Sequence, residues 1–437
     1  MREGHIAVVG TGYVGLTTGA ALASLGHRVV CADADPHKVA RLRRAEVDIL
    51  EPGLPGLVRE GLDSGLLEFG QDTPAAVTGA GVVFLCLPTP MGAGGAADLA
   101  AVEAVAAEIR AVLPAGCAVV NKSTVPVGTS ERVAALIGRP DVHVVSNPEF
   151  LREGHAVHDF LHPDRVVVGA ADREAGRRVA ELYAPLGAPL VLTDPASAEL
   201  TKYAANFFLA MKLSFANNLA AVCERFGADI GDVTTGLGHD PRVGAAFLQP
   251  GPGWGGSCLP KDTHALLSIC EQAGVEFPLL RATIETNVEH QRQLVDRVAA
   301  GCAGPDGTLR GVRLALLGLA FKAGTSDLRD SPALAIARAL RARGAELYAY
   351  DPALCETRPD LSDLLTLTDD PAEAVTGAAA CLVLTEWPEF RELDWTRLAG
   401  LLDGRLVHDF RNILDPARLE AAGLSWQGIG RTAALTT

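Results

Sequence analysis

A glycine-rich run, Gly10-Thr11-Gly12-Tyr13-Val14-Gly15, follows at once on the apolar stretch Ile6-Ala7-Val8-Val9 and constrains the opening of this chain more than any other feature. A buried strand that turns directly into a helix needs glycine in three places: where the turn is tight, where an anion nears the backbone, and where helix and strand pack together. The pattern predicts a helix from about Leu16 to Leu25, closed by Gly26, since glycine is favoured just past a helix end. Arg28-Val29-Val30-Cys31-Ala32 reads as a second strand, with Asp33 at its end, 23 residues after Gly10. Strand, glycine loop, helix, strand and acid in that order mark half of a Rossmann fold. Pyrophosphate would rest on the helix N-terminus, where unpaired N–H groups and the helix dipole favour anions. Asp33 would accept hydrogen bonds from ribose hydroxyls and repel a 2′-phosphate, which favours NAD over NADP.

The chain has 437 residues, too many for one core, so two or three domains are expected. Hydrophobic residues make up 48 % and aromatic ones only 5 %, with 46 glycines, a balance that suits an α/β protein with many tight turns. The formal charge is −15, a field that repels nucleic acid and anionic lipid, so a bound phosphate must rely on local donors. Nine scattered cysteines, with no C-x-x-C pair, fit reduced thiols and a cytoplasmic protein. The first apolar run is only a strand in length, and no later one reaches the ~18 residues of a membrane span. His155, His158 and His162 share a face if helical, but Pro163 and the lack of a fitting ligand set argue for a structural role, and no metal is expected.

Further strands are read at 82–87, 118–120 and 142–145. They end in Pro88-Thr89-Pro90, Lys122-Ser123-Thr124-Val125-Pro126 and Ser146-Asn147-Pro148-Glu149-Phe150-Leu151-Arg152. Ligands of an open parallel sheet bind beyond the carboxyl ends of its strands, which places Thr124 and Glu149 near the chemistry; the alternative is that they only cap turns. From Ser197 to about Phe226 the residues suit a helix with apolar positions on every face, so a helix largely buried between domains or subunits is expected. Lys202 and Asn206, four apart, share one of its faces. A second helical stretch is expected from about Thr263 to Ala300. The second half then repeats the first: Arg313-Leu314-Ala315-Leu316-Leu317-Gly318 echoes the opening strand, and Glu346-Leu347-Tyr348-Ala349-Tyr350-Asp351 the second. Its first loop, Gly318-Leu319-Ala320-Phe321-Lys322, lacks the third glycine, so a second dinucleotide is not expected; Lys322 and Arg329 could hold substrate phosphates instead. The fold expected is α/β: two Rossmann-like doubly wound parallel-sheet domains (1–196 and 303–437) joined by a long central helical region (197–302).

Cys258 stands in Gly251-Pro252-Gly253-Trp254-Gly255-Gly256-Ser257-Cys258-Leu259-Pro260-Lys261-Asp262. A free cysteine is commonly a small buried apolar residue. With a dinucleotide site in the same chain, a thiol has another use: it traps the aldehyde that loss of hydride creates and carries the oxidation on to the acid. Lys261 and Asp262 lie within one helical turn of it.

The motifs Gly-Thr-Gly-Tyr-Val-Gly, Lys-Ser-Thr-Val-Pro-Val-Gly, Asn-Pro-Glu-Phe-Leu-Arg-Glu-Gly, Pro-Asp-Arg-Val-Val-Val-Gly and Gly-Trp-Gly-Gly-Ser-Cys-Leu-Pro-Lys-Asp occur in this order. Together they resemble the UDP-glucose 6-dehydrogenase branch of the nucleotide-sugar dehydrogenases, from Gly10 to about Ile413. The resemblance implies an NAD-dependent four-electron oxidation of a sugar C6 alcohol to the carboxylate. Cys258 resembles the nucleophile that forms a thiohemiacetal and then a thioester. Lys202 and Asn206 resemble the groups that hold the oxyanion and water, and Asp262 the carboxylate that assists that water, with Thr124 and Glu149 completing the network. The implied cofactor set is Gly10, Gly12, Tyr13, Val14, Gly15, Asp33, Lys38, Thr89, Thr124 and Arg329. The implied substrate set takes in Glu149, Phe150, Leu151, Arg152, Lys202 and Asn206, the loop residues Phe247, Gly251, Gly253 and Gly255, and Lys322. Arg242 resembles an arginine that reaches a neighbouring subunit's sugar, which implies a functional homodimer through the central helices. Phe247 stands where many relatives carry tyrosine, and Met91-Gly92-Ala93-Gly94-Gly95 is poor in side chains, so thymidine-diphosphate, acetamido and mannose sugars stay open beside UDP-glucose. A two-electron β-hydroxyacid dehydrogenase would have no use for the thiol or the second sheet, and a non-catalytic NAD-binding scaffold none for the Cys–Lys–Asp set.

Overall fold

The computed structural model describes residues 4–304, 307–354 and 358–431. The chain divides into two compact units, residues 1–205 with 264–276, and residues 206–263 with 277–437.

The first unit is built on β1 (Ile6–Val9), β2 (Val29–Ala32), β3 (Leu67–Gly70), β4 (Val82–Leu85), β5 (Ala118–Asn121), β6 (His143–Ser146), β7 (Val166–Ala170) and β8 (Leu190–Thr193). They form one sheet in the order β3-β2-β1-β4-β5-β6-β7-β8. β1, β4 and β5 are buried at every position, as strands covered on both faces must be. Val8, Phe84 and Val120 pack on one face with Leu16 and Ala20, while Ala7, Val83 and Val119 pack on the other with Val102 and Ala106. Each such Val, Leu or Phe side chain contributes ~1.5–3 kcal/mol of burial. The chain reverses strand order between β1 and β4, and a ligand crevice opens at such a switch point. The sheet is not wholly parallel: β7 runs antiparallel to β6. The connection between them packs its one helix, Ala156–Leu161, against the first helix of the fold instead of crossing the sheet.

That first helix, Tyr13–Ser24, starts three residues before the expected Leu16. Its packing depends on small residues: a Cβ on Gly19 would lie 2.5 Å from Cys31 Sγ. The helix Thr129–Ile137 has no capping side chain of its own at Gly128. Its amides are met by Glu199, whose carboxylate accepts from Gly128 N at 2.8 Å, Ser130 N at 2.9 Å and Ser130 Oγ at 2.7 Å.

The second unit holds β9 (Arg313–Leu317), β10 (Glu346–Tyr350), β11 (Thr366–Leu367), β12 (Ala380–Val383), β13 (Leu406–Asp409) and β14 (Ser425–Gly428). Their order, β11-β10-β9-β12-β13-β14, repeats that of the first six strands, and all pairs are parallel. The helix after β9 begins only at Pro332, far from Gly318. Asp351 is buried and its Oδ2 accepts from Leu319 N at 2.7 Å and Ala320 N at 3.0 Å. The duplicate loop thus lacks the adjoining helix N-terminus, and its acid is consumed by the loop's own amides.

The central helices span Pro195–Phe226, Ile230–Gly238, Leu259–Gln272 and Pro278–Cys302. The expected stretch from Thr263 to Ala300 is therefore two helices. Gly274, at φ +68°, ends the first, and Pro278 opens the second. The helix Pro195–Phe226 is not buried all round within the chain: Leu200, Phe208, Phe215, Val222 and Phe226 are 45–82 % exposed. Apolar residues on every face do not distinguish burial by the same chain from burial by another. Among the described residues, no helix is long and apolar enough to cross a membrane.

Candidate active site

The cofactor fit is decided by the glycine loop. Gly10 takes φ +92°, and a Cβ there would lie 2.5 Å from Cys86 O. A Cβ on Gly15 would lie 1.9 Å from Gly10 O, whereas one on Gly12 would meet nothing within 4 Å. The outer glycines thus serve turn and packing, and the middle one leaves backbone open to an approaching phosphate. No side chain caps the helix Tyr13–Ser24, so its first amides remain for an anion. Asp33 Oδ2 accepts from Thr11 N at 2.8 Å, Thr11 Oγ1 at 2.6 Å and Lys38 Nζ at 3.3 Å. Burial pushes the Asp33 carboxyl up, but the Thr11 and Asp35 hydrogen bonds and the Lys38 charge outweigh it and hold the group below the usual range. These residues fit a dinucleotide, with an ionised acid aimed where a ribose belongs. Val14 is half-buried in the first turn, and Tyr13 ties the loop to its surroundings: its hydroxyl donates to Glu51 and accepts from Gly154 N at 2.7 Å.

Two buried groups come together at the carboxyl ends of the strands in the first unit. Lys202 Nζ lies 3.0 Å from Glu149 Oε1, and Glu149 Oε2 accepts from Leu151 N at 2.6 Å. Burial alone would raise the Glu149 carboxyl; the Lys202 ammonium, the Leu151 N–H and the Lys122 charge together hold it below its ordinary value. Phe150 lies between cations, with Arg165 Cζ 3.6 Å and Lys202 Nζ 5.3 Å from its ring centre. Thr124 is buried in the adjoining loop, where Thr89 Oγ1 donates to its carbonyl at 2.9 Å. Arg152 pairs outward with Asp159 at 2.6 Å.

In the second unit, Cys258 stands immediately before the helix Leu259–Gln272, where the helix dipole favours negative charge. It is partly exposed, forms no disulfide, and lies 3.5 Å from Ser257 Oγ. One turn on, Asp262 is buried with both oxygens engaged: Asn206 Nδ2 donates to Oδ2 at 2.5 Å, and Lys261 Nζ to Oδ1 at 2.5 Å. The glycine-rich strap before Cys258 is clamped by buried polar side chains. Asn217 Oδ1 accepts from Gly251 N at 2.8 Å, and His290 Nε2 donates to Gly251 O at 2.8 Å. The Asn287 amide holds both backbone groups of Trp254, at 2.9 and 3.0 Å. A Cβ on Gly253, at φ +107°, would strike Asn287 Oδ1 at 2.8 Å, and one on Gly255 would lie 2.0 Å from Asp330 O. Phe247 takes φ +62°, a strained angle for an aromatic residue of the kind found at ligand loops.

The remaining expected residues are Arg242, Arg329 and Lys322. Arg242 pairs with Asp240 at 2.5 Å on a side chain 87 % exposed. Arg329 pairs with Asp327 at 2.6 Å, largely exposed, and Lys322 Nζ stands 5.7 Å from the centre of the Phe321 ring. His158 and His162 rings are 5.0 Å apart, and among the described residues no group of three or more His, Cys, Asp or Glu could hold a metal ion. Sequence reasoning missed Asn287, His290, Asn217 and Lys122. Asn287 and His290, three apart on a helix that buries both, carried the one available signal: polar residues in the place of an apolar stripe.

Three models of the UDP-glucose/GDP-mannose dehydrogenase family match the chain: the NAD binding domain at residues 4–187, the central domain at 196–289 and the UDP binding domain at 315–416. A UDP-glucose 6-dehydrogenase of Rhizobium meliloti is 44 % identical over 436 residues, covering 98 % of this chain and 99 % of its own. One from Bacillus subtilis is 42 % identical over 434 residues, with 98 % and 93 % covered. The solved structure of a UDP-glucose dehydrogenase from the archaeon Pyrobaculum islandicum superposes with a TM-score of 0.89 at 36 % identity, covering 99 % of both chains. The protein belongs to the UDP-glucose/GDP-mannose dehydrogenase family.

Proposed function

We propose that the protein oxidises the C6 alcohol of UDP-glucose to the carboxylate in two successive two-electron steps. The observation that carries this reading is the pairing of a helix-terminal thiol, Cys258, with a buried carboxylate one turn on, Asp262, that Asn206 and Lys261 hold in place. NAD, when bound, supplies the hydride acceptor for both steps. Residues 1–196 hold the cofactor, 303–437 the nucleotide, with Lys322 on its phosphates, and 197–302 supply the helices between.

The chemistry of the chain's own groups follows. Glu149, ionised beside Lys202, receives through water the proton that the alcohol releases in the first oxidation, with Thr124 in the same network. Cys258 Sγ adds to the aldehyde carbon, which stops its escape and leaves a thiohemiacetal with one C–H. Loss of that hydrogen as hydride, with the hydroxyl proton, gives a thioester on Sγ. Asp262 takes the proton of an attacking water, while Lys202 Nζ and Asn206 Nδ2 stabilise the tetrahedral oxyanion. Collapse breaks the C–S bond and returns Cys258 as thiolate. The balance is one alcohol and one water in, one carboxylate, two hydrides and three protons out.

The family's central helices suggest a second copy as partner. Leu200, Phe208, Phe215, Val222 and Phe226 recur at heptad-like intervals on the exposed side of the helix Pro195–Phe226, a stripe suited to an identical helix. Arg242, exposed, would then reach the partner's substrate. The scattered cysteines support a cytoplasmic location.

Counting NADH formed per UDP-glucose consumed tests the proposal. Two NADH in the wild type, with one or none in Cys258→Ser, supports the thioester route. One NADH with released aldehyde removes the role given to Cys258, and no turnover moves the search to other nucleotide sugars, TDP-glucose first.

A further inference from the structure

A second buried lysine faces the Glu149–Lys202 pair, and the oxidation gives it no part. Lys122 follows β5 and is 5 % exposed. Its main-chain N–H donates to Leu85 O at 3.0 Å. Its ammonium donates to Asn147 Oδ1 at 3.1 Å and to the Tyr183 hydroxyl at 3.2 Å, and stands 5.9 and 5.3 Å from the ring centres of Phe160 and Tyr183. The cradle is itself braced. The Tyr183 hydroxyl donates to Asn147 Oδ1 at 2.6 Å, and Asn147 Nδ2 donates to Val167 O at 2.8 Å. Both hydrogen-bonding side chains are neutral. Methionine would fill the same space without a buried charge, which costs several kcal/mol unless it is compensated. Asn147, the side chain Lys122 grips, lies two residues before Glu149 on one loop.

We propose that Lys122 is a positioning residue for Glu149: through Asn147 its ammonium fixes the loop that presents the carboxylate, and its charge favours the ionised form of that carboxylate. The inference rests on the reading that Glu149 serves the oxidation.

The electrostatics agree with the geometry. Burial lowers Lys122 from 10.5 to about 8; Cys86 and Glu149 oppose the fall and the Lys202 charge adds to it. The titratable groups that face it are Cys86 beyond β4, Glu149 on its loop, Lys202 on the central helix and Tyr183 beyond the helix Arg173–Glu181. Burial pushes the Cys86 thiol up to about 12 and the Tyr183 hydroxyl well above its ordinary value, while Glu149 is ionised from acid pH upward. Through the range around pH 8, the loss of the Lys122 proton removes the positioning charge, and turnover falls with it.

The test is steady-state kinetics of the full chain on NAD and UDP-glucose from pH 6 to 10, with folding checked by circular dichroism and thermal melts. The wild type is expected to show an alkaline limb in kcat centred near pH 8. In Lys122→Met, kcat at pH 7 falls about tenfold or more, KM for UDP-glucose stays within about twofold, and the limb disappears. Lys122→Arg, a permanent cation, keeps part of the activity and loses the limb. Tyr183→Phe keeps the ring but withdraws one acceptor from the ammonium, so the limb moves to lower pH. A folded Lys122→Met enzyme with wild-type kcat and profile overturns the proposal, and so does a Tyr183→Phe enzyme whose limb stays in place. Should the Met variant fail to fold, the Tyr183→Phe profile decides. Glu149→Gln separates the two readings. If it is as active as the wild type, the role of Glu149 and the inference built on it both fall. If it is inactive while the Lys122 variants match the wild type, only the inference falls.

Discussion

His408 makes the stability of the second unit dependent on pH in a way that can be worked from the structure. Its ring is wholly buried on β13, 5.5 Å from that of Phe410, and neither ring nitrogen has a hydrogen-bond partner among the described residues. Burial, reinforced by the Arg297 guanidinium, lowers its pKa from 6.5 to about 4. The unfolded chain binds this proton near pH 6.5 and the folded chain only near 4. Between those values the unfolded state carries more protons, so stability falls as the pH falls, and it levels off below the folded value. A shift of this size takes away about 2 kcal/mol by pH 5 and ~3 kcal/mol below pH 4, and nothing above pH 7. His408→Leu removes the titration and leaves the other groups alone, so subtracting its stability from that of the wild type at each pH isolates this one proton. The readout is built in: all four tryptophans, Trp254, Trp387, Trp395 and Trp426, belong to the second unit. Urea unfolding followed by tryptophan fluorescence at pH 7.5 and pH 5 therefore reports on the right part of the chain. The wild type should lose about 2 kcal/mol more than His408→Leu between the two conditions. Equal losses would refute the reasoning, because they would mean that the folded protein admits the proton as easily as the unfolded one.

Gly15→Ala places a Cβ 1.9 Å from Gly10 O, so the loop must move, and NAD affinity should weaken at least about tenfold by calorimetry. Asn287→Ala removes both hydrogen bonds to Trp254 and should destabilise the second unit by about 1–3 kcal/mol in the same urea assay. Phe215→Glu puts a charge in the middle of the exposed stripe; sedimentation should find a dimer in the wild type and a shift to monomer in the variant, and an unchanged mass would place any dimer contact elsewhere.

The parts of the fold that were legible in the sequence are those that local pattern encodes. The run Ile6 to Gly15 and the acid at Asp33 announced strand, turn, helix and strand because each step is decided within a few residues. The echo at Gly318 and Asp351 announced a second sheet for the same reason. Local pattern could not announce that Asp351 turns back onto its own loop, since that depends on where the next helix starts. The direction of β7 was hidden too, because a buried strand carries the same apolar run in either direction. At the site, Lys202 and Glu149 stand 53 positions apart in the sequence yet 3.0 Å apart in space. Their proposed roles come from a family likeness, and their pairing from the fold. Lys122 heads one of the family motifs, yet its burial gave no signal, because a lysine after a strand ordinarily points to water; only Phe160, Tyr183 and Asn147 closing round it make it unusual.

Glu199 has a consequence for where the first unit can be cut. It sits in the opening turns of the central helix, beyond the last strand of its sheet, yet it supplies the acceptors for the start of another helix some 70 residues earlier. A fragment ending at Asp194 would keep all eight strands and still lose that carboxylate, together with the cation that balances Glu149. Autonomy here belongs to a sheet plus the beginning of its neighbour, so a domain exchange with a relative should take its splice point beyond Lys202; a seam set at the end of the strands would deliver a nucleotide-binding module with an uncapped helix and an unpaired buried acid.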